Sequence, residues 1–214
     1  MLSQSNSSTT FSFTRKRRRR NLSNYDTVTF VIEIVPYQER WPEQFTAFGR
    51  RLREAAGADA LAVHHIGSTS VPGLAAKDVI DIQITVADFS LPFHEAFEAL
   101  GVTFRTIERD HRPPGLALAP EQLEKRYFSS PHYHVHIRIQ ERFNQRYALI
   151  CRDYLRTHPM AADAYAEIKR QLAKRFPNDV EAYYAIKDPV FDVIVAGGLE
   201  WAEAVNWQQL PTDA

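Results

Sequence analysis

At 214 residues, with 44% hydrophobic and 24% charged side chains, the chain can bury a core, and no run approaches the ~20 apolar residues of a membrane-spanning helix. Its 26 basic and 26 acidic residues cancel, but six of the positive charges sit in RKRRRR at 15–20, so the remainder is acidic and argues against a broad nucleic-acid surface. The one cysteine, Cys151, excludes an intrachain disulfide and fits a reducing, cytoplasmic location; its apolar, helical flanks favour a buried structural thiol over a catalytic one.

Residues 1–24 are Ser- and Asn-rich, basic and free of acids, and are expected to be a disordered tail. The alternatives are an organellar presequence or an RNA-binding arm. TVTFVIEIVP (27–36) alternates as a strand, and Trp41, Phe45, Phe48 and Leu52 then fall at helical spacing up to Gly57. ALAVHHIG (60–67) predicts a buried strand, STSVPGLAAK a turn, and DVIDIQITV (78–86) a central strand. A helix over 91–101 and a strand over 102–108 follow. The proline-rich stretch 109–124 predicts a long surface loop of the kind that often serves as a lid. KRYFSS and HYHVHIRIQ predict a hairpin, and from 142 the pattern is helical, with breaks at Pro159 and Pro177. The expected class is α/β (α+β): a mixed sheet flanked by helices, with a helical C-terminal third. Residues 25–207 are expected to form one domain and 208–214 a disordered end.

The chemistry concentrates in HHIGSTSVPGLAAKDVIDIQITV (64–86). The order Gly67-Ser68-Thr69-Ser70 lacks the Gly-x-Ser-x-Gly of a hydrolase elbow, and Leu74 after Gly73 excludes a phosphate loop ending in Lys-Ser/Thr. A Gly-Ser turn between strands does let backbone amides and a hydroxyl approach phosphate oxygens, and an acid on the next strand, Asp81, can hold a divalent cation. The layout resembles the signature of polymerase-β-type nucleotidyltransferases, Gly-Ser followed by Asp-apolar-Asp/Glu. Here the triplet is Asp81-Ile82-Gln83, without the second carboxylate. His132, His134 and His136 alternate along one strand face, where they could bind metal, act as acid and base, or be satisfied within the sheet.

Taken together, HIGSTSVPGLAAKDVIDIQITV, YHVHIRI, ALICRDYLRTHP and AYAEIKRQLAKRF…AYYAIKDPVF resemble the GrpB family of nucleotidyltransferase-fold proteins, over about residues 28–196. Members stand alone or are fused to dephospho-CoA kinase. The resemblance implies a nucleotidyltransferase-like fold and picks out Gly67, Ser68 and Ser70 in the turn, Lys77 and Asp81, Arg126, His134 and His136. It continues to Arg152, Asp153 and Tyr154, with Cys151 where the motif has phenylalanine, and to Lys169 and Lys187.

Two functional expectations follow. In the first, the protein is an enzyme transferring a nucleotidyl group from an NTP to an acceptor. Asp81 and His136 are then catalytic, Mg²⁺ or Mn²⁺ is held by Asp81, His134 and His136, and the nucleotide's phosphates meet Gly67, Ser68, Ser70, Lys77, Arg126, Arg152 and Lys187. In the second, the missing acid at Gln83 marks a catalytically degenerate module that binds a nucleotide or another phosphorylated small molecule, in a coenzyme A-linked context.

Overall fold

The computed structural model describes residues 31–90 and 93–214. The basic tail, and residues 27–30 of the first expected strand, lie outside them. From residue 31 the chain is extended but makes only one antiparallel bridge, Val35 to Ala76, in place of the expected strand. Helix α1 (Trp41–Ala56) follows, with a proline in its first turn. Asp78 accepts hydrogen bonds from Trp41 Nε1 at 2.7 Å and Arg40 Nη2 at 2.6 Å, which ties the start of α1 to the segment before the second strand.

Among the described residues five strands form one sheet: β1 (Ala62–Ile66), β2 (Ile80–Val86), β3 (Thr103–Arg105), β4 (Arg126–Ser129) and β5 (Tyr133–Ile139). Their order is β1-β2-β5-β4-β3, and β2–β5 is the parallel pair. The short α2 (His94–Glu98) lies between β2 and β3, and α3 (Phe143–Thr157), α4 (Pro159–Arg175) and α5 (Val180–Ala204) form the helical C-terminal third. The α/β arrangement expected from the sequence is the observed one.

The two faces of the sheet have different work because successive side chains alternate. One face sends Val63, Ile80, Ile82, Ile84, Val135, Ile137 and Phe128 into a core with Trp41, Phe45, Phe48 and Leu52 of α1 and Phe97 of α2. On the other face, β2 presents Asp81, Gln83 and Thr85, and β5 presents His134, His136 and Arg138. The register places Asp81 beside His134 and Gln83 beside His136. A second apolar cluster, including Cys151, Leu155, Tyr165, Ala166, Ile194 and Val195, packs α3, α4 and α5 together over this polar face. The space left between helices and sheet is the cleft described below.

The end of the chain departs from expectation. Residues 208–214 were expected to be disordered, yet they run along β1, the edge of the sheet. Thr212 Oγ1 bonds the Val63 backbone at 2.9 Å, and the Asp213 amide donates to the Val63 carbonyl at 2.9 Å. The Asp213 carboxylate accepts from the His65 amide at 3.0 Å. An edge strand with open backbone groups is a site for unwanted pairing, and this segment satisfies those groups internally.

Candidate functional site

The cleft, about 240 Å³, lies between the Gly67–Ser68 turn, the polar ends of β2 and β5, and α3–α5. Near Asp81 it continues into a second hollow of about 410 Å³ walled by Ile107–Pro113, Lys125 and Tyr127. Asp81, His134, His136, Tyr147, Lys187 and Phe191 border both.

Gly67 has φ +70°, and a Cβ built on it would stand 2.3 Å from Asp81 Oδ2. Only glycine supplies both the left-handed backbone and the space. The turn from β1 is therefore pressed against the acid of β2, and Ser68 is delivered to the cleft wall beside it. Asp81 Oδ1 lies 3.1 Å from His134 Nδ1 and 3.7 Å from His136 Nε2. Burial pushes the Asp81 carboxyl up, but the two imidazoles outweigh it and hold its pKa well below the usual value. Burial brings His136 down to about 4, so at neutral pH an ionised carboxylate sits beside a neutral ring. His136 Nδ1 is buried without a hydrogen-bond partner.

Three lysines from separate parts of the chain line the same cleft: Lys77 before β2, Lys169 on α4 and Lys187 on α5. Each rests over aromatic rings. Lys77 Nζ is 5.0 Å from the Tyr184 ring centre, Lys169 Nζ is 4.4 Å from that of Tyr165, and Lys187 Nζ is 5.3 Å from that of Phe191. Lys77 donates to Tyr184 OH at 2.5 Å and Lys169 to Ser68 Oγ at 2.8 Å. Lys187 approaches Asp188 at 3.4 Å, whereas among the described residues Lys77 and Lys169 form no ion pair. Aromatic faces steady an ammonium without cancelling its charge. The result is a concave, partly apolar site with surplus positive charge.

The sequence model of the GrpB protein family matches residues 31–196. The chain belongs to the GrpB family. It is 32% identical over 207 residues to a dephospho-CoA kinase of Mycolicibacterium paratuberculosis, an alignment covering 88% of this chain and 51% of that protein. It is 34% identical over 181 residues to the UPF0157 protein YqkA of Bacillus subtilis, covering 82% and 49% respectively. The chain thus spans about half the length of these two relatives. The crystal structure of the conserved protein GrpB from Enterococcus faecalis superimposes with a TM-score of 0.68 at 30% identity, over 80% of this chain and 99% of that one.

Of the residues that the GrpB resemblance picked out, the fold brings Gly67, Ser68, Lys77, Asp81, His134, His136, Lys169 and Lys187 to the cleft. Three other expected ligand residues are engaged within the fold. Ser70 is turned inward, its hydroxyl donating to the Gly67 carbonyl at 2.6 Å while its own carbonyl accepts from Arg156; it shapes the turn and does not line the cleft. Arg126 pairs in register with Ile137, on the face opposite the histidines, and lies over the Phe89 ring at 4.4 Å. Arg152 borders the cleft, but four of its five N–H donors go to Asp153, Asp213 and the His65 carbonyl, and its side chain has no exposure. An arginine held by two carboxylates and a carbonyl and sealed from solvent serves the fold first. His132 lies before β5 and is exposed, so the histidine pair is His134 and His136.

Gln83 is fully buried. Its side-chain oxygen accepts from Arg138 Nη1 at 2.6 Å and its amide donates to the Gln145 carbonyl at 3.0 Å. Arg138 in turn binds Asp110 through Nε at 2.8 Å and Nη2 at 3.0 Å, and Lys125 Nζ meets Asp110 at 2.7 Å. The stretch 109–124, expected as a long surface loop, is therefore fastened at its base: Asp110 is buried among two cations and Asn144, and the backbone of Arg109 forms an antiparallel bridge with Glu124. Asp110 was missed at the sequence level because nothing local distinguishes it from a loop acid.

Among the described residues no three His, Cys, Asp or Glu side chains stand as a ready metal cluster. The donors do not make a two-ion site, since Gln83 is committed to Arg138 and Asp110 to Arg138 and Lys125. What remains is one carboxylate, Asp81, flanked by two imidazoles. No helix of the described residues is long and apolar enough to cross a membrane.

Proposed function

We propose that the cleft binds the phosphate groups of a nucleotide or another phosphorylated small molecule. The observation that carries this reading is the convergence of Lys77, Lys169 and Lys187 on the Gly67–Ser68 turn, with aromatic rather than acidic neighbours for the first two. Ammonium groups left without carboxylate partners in a concave, half-enclosed site are stabilised by an anion from outside. Ser68 Oγ supplies a hydroxyl donor, and Tyr147, Phe191 and Tyr184 supply apolar wall for the rest of the ligand. The dephospho-CoA kinase relatives favour a ligand from coenzyme A metabolism.

A second reading, nucleotidyl transfer, is favoured by the ionised Asp81 beside the neutral His136. Mg²⁺ or Mn²⁺ would then be held by Asp81 with His134 or His136, and would supply neutralisation of phosphate charge when bound. In this chain Asp81 stays ionised, His136 keeps an uncharged ring within reach of the acceptor, and the lysines orient the phosphates.

Thermal shift with each NTP, with and without Mg²⁺ or Mn²⁺, separates these readings when repeated on Lys169→Ala and Asp81→Ala. Stabilisation that needs Lys169 but neither metal nor Asp81 supports the binding module. Metal-dependent stabilisation lost in Asp81→Ala, with pyrophosphate release on adding an acceptor, supports the enzyme. No stabilisation by any nucleotide overturns both.

A further inference from the structure

Lys169 differs from the other two lysines in how it is held. It is buried at 3% relative exposure, whereas the side chain of Lys187 is 24% exposed and contacts Asp188. Its one hydrogen bond among the described residues goes to a neutral hydroxyl, Ser68 Oγ. That bond weakens but survives when the amine goes from three protons to two, because donors remain on the nitrogen and the hydroxyl can also donate to it. A buried ammonium without a carboxylate is costly, and the nitrogen has a route out of that cost: it can shed its proton and keep both its hydrogen bond and its seat on Tyr165.

We propose that Lys169 couples anion binding to proton uptake: an incoming polyphosphate displaces Lys169 from Ser68 and converts it to a fully charged ammonium. The inference rests on the phosphate-binding reading and adds the charge class of the ligand and its dependence on pH. Every group facing Lys169 bears on the argument. From its own helix come Tyr165 and Arg170; from α5 comes Lys187, with Tyr183 and Tyr184 on the same cleft wall; from the sheet side come Lys77, Ser68 and Asp81. Burial lowers the Lys169 pKa first, the charges of Lys187, Arg170 and Lys77 lower it further, Asp81 opposes them, and the net value is about 7. Asp81 sets one negative charge against the cations of Lys77, Lys169, Lys187 and Arg170, so a cation surplus remains. A single phosphate group, at most a dianion here, meets three separate ammoniums less completely than a diphosphate or triphosphate does. The geometry therefore selects for polyanions over monophosphates.

The sign follows from linkage. A ligand that raises the Lys169 pKa binds with uptake of a proton above pH ~7, and its affinity falls as pH rises through the window between the free and bound values. The test uses the full chain and inorganic tripolyphosphate, pyrophosphate and phosphate as probes above pH 8, with each probe's own ionisation titrated without protein and subtracted. Calorimetry in two buffers of different ionisation enthalpy should read an uptake close to one proton per site, with affinity falling about tenfold between pH 8 and 9. Tripolyphosphate and pyrophosphate should bind well ahead of phosphate. Lys169→Arg, which keeps a permanent charge, should bind with no uptake and flat pH dependence. If that variant does not fold, Lys169→Met takes its place, and uptake that persists there comes from another group and overturns the inference. Binding without proton uptake, or uptake that persists in Lys169→Arg, overturns the inference and leaves the phosphate-binding reading intact. Absence of binding by all three probes and by nucleotides overturns both.

Discussion

Two aspartates lie at the floor of one cleft, and they differ in how completely they are compensated. Asp110, with a side chain 7% exposed, is met by Lys125, by Arg138 through two nitrogens and by Asn144, all between 2.7 and 3.0 Å. Asp81 is 28% exposed and has one imidazole at 3.1 Å and another at 3.7 Å. Their pKa values are both lowered, so titration alone would not tell them apart. Saturation does. A carboxylate whose acceptor sites are filled by protein cations holds the fold together, and one that keeps open lone pairs towards solvent is placed to meet a ligand. The same contrast separates Lys125, paired to Asp110, from Lys169, paired to no acid.

The largest test of this contrast is Asp110→Ala. It strands two cations beneath the sheet and should cost about 3–5 kcal/mol of unfolding free energy in denaturant titration. A variant as stable as the parent would break the comparison. Gly67→Ala comes next, because it forces a Cβ into Asp81 and a side chain into left-handed backbone. A loss of about 3 kcal/mol is expected, together with loss of phosphate binding; intact binding would show that the turn is not pressed on Asp81 in solution. Acid titration gives the third measure. Burial lowers His65 to about 3, so its neutral form supports the fold above the unfolded value near 6.5. That support is lost as pH falls from 6.5 towards 3, at about 1.4 kcal/mol per pH unit for this one group, or ~2 kcal/mol by pH 5. His65→Phe, which keeps the stack on Phe45, should flatten that part of the curve. Asp81→Asn should move stability least, by under ~1 kcal/mol because the group is part-exposed, while removing any metal-dependent nucleotide response. Equal destabilisation by Asp81→Asn and Asp110→Asn would erase the distinction.

Much of the site was legible because its pieces are local. Gly67, Ser68 and Asp81 share one strand–turn–strand unit, and the parity of β5 sets His134 and His136 on one face. Parity explains the placing of Arg126 as well: it lies on the Phe128 side of β4, but the pairing that reveals this, Arg126 with Ile137, is a register no single strand discloses. Arg152 was hard to read for another reason. A helical arginine near a cleft looks like a ligand, and its partner Asp213 lies 61 positions away in a segment without strand or helix pattern. Asp110 and the buried standing of Lys169 are likewise products of tertiary packing. Local spacing identifies which groups can reach a site; only the assembled fold shows which have already been satisfied.

Gln83 limits what redesign can achieve here. Writing a glutamate at this position would restore the Asp-apolar-acid spelling of the sequence signature, yet the side-chain oxygen there already faces the Arg138 guanidinium at 2.6 Å. The new charge would join Asp110 in competing for that arginine, and the neighbouring Gln145 carbonyl would lose its donor. Converting this cleft to two-ion chemistry therefore requires rewiring Arg138 and its partners together; the spelling of a motif and the circuitry beneath it are separate inheritances.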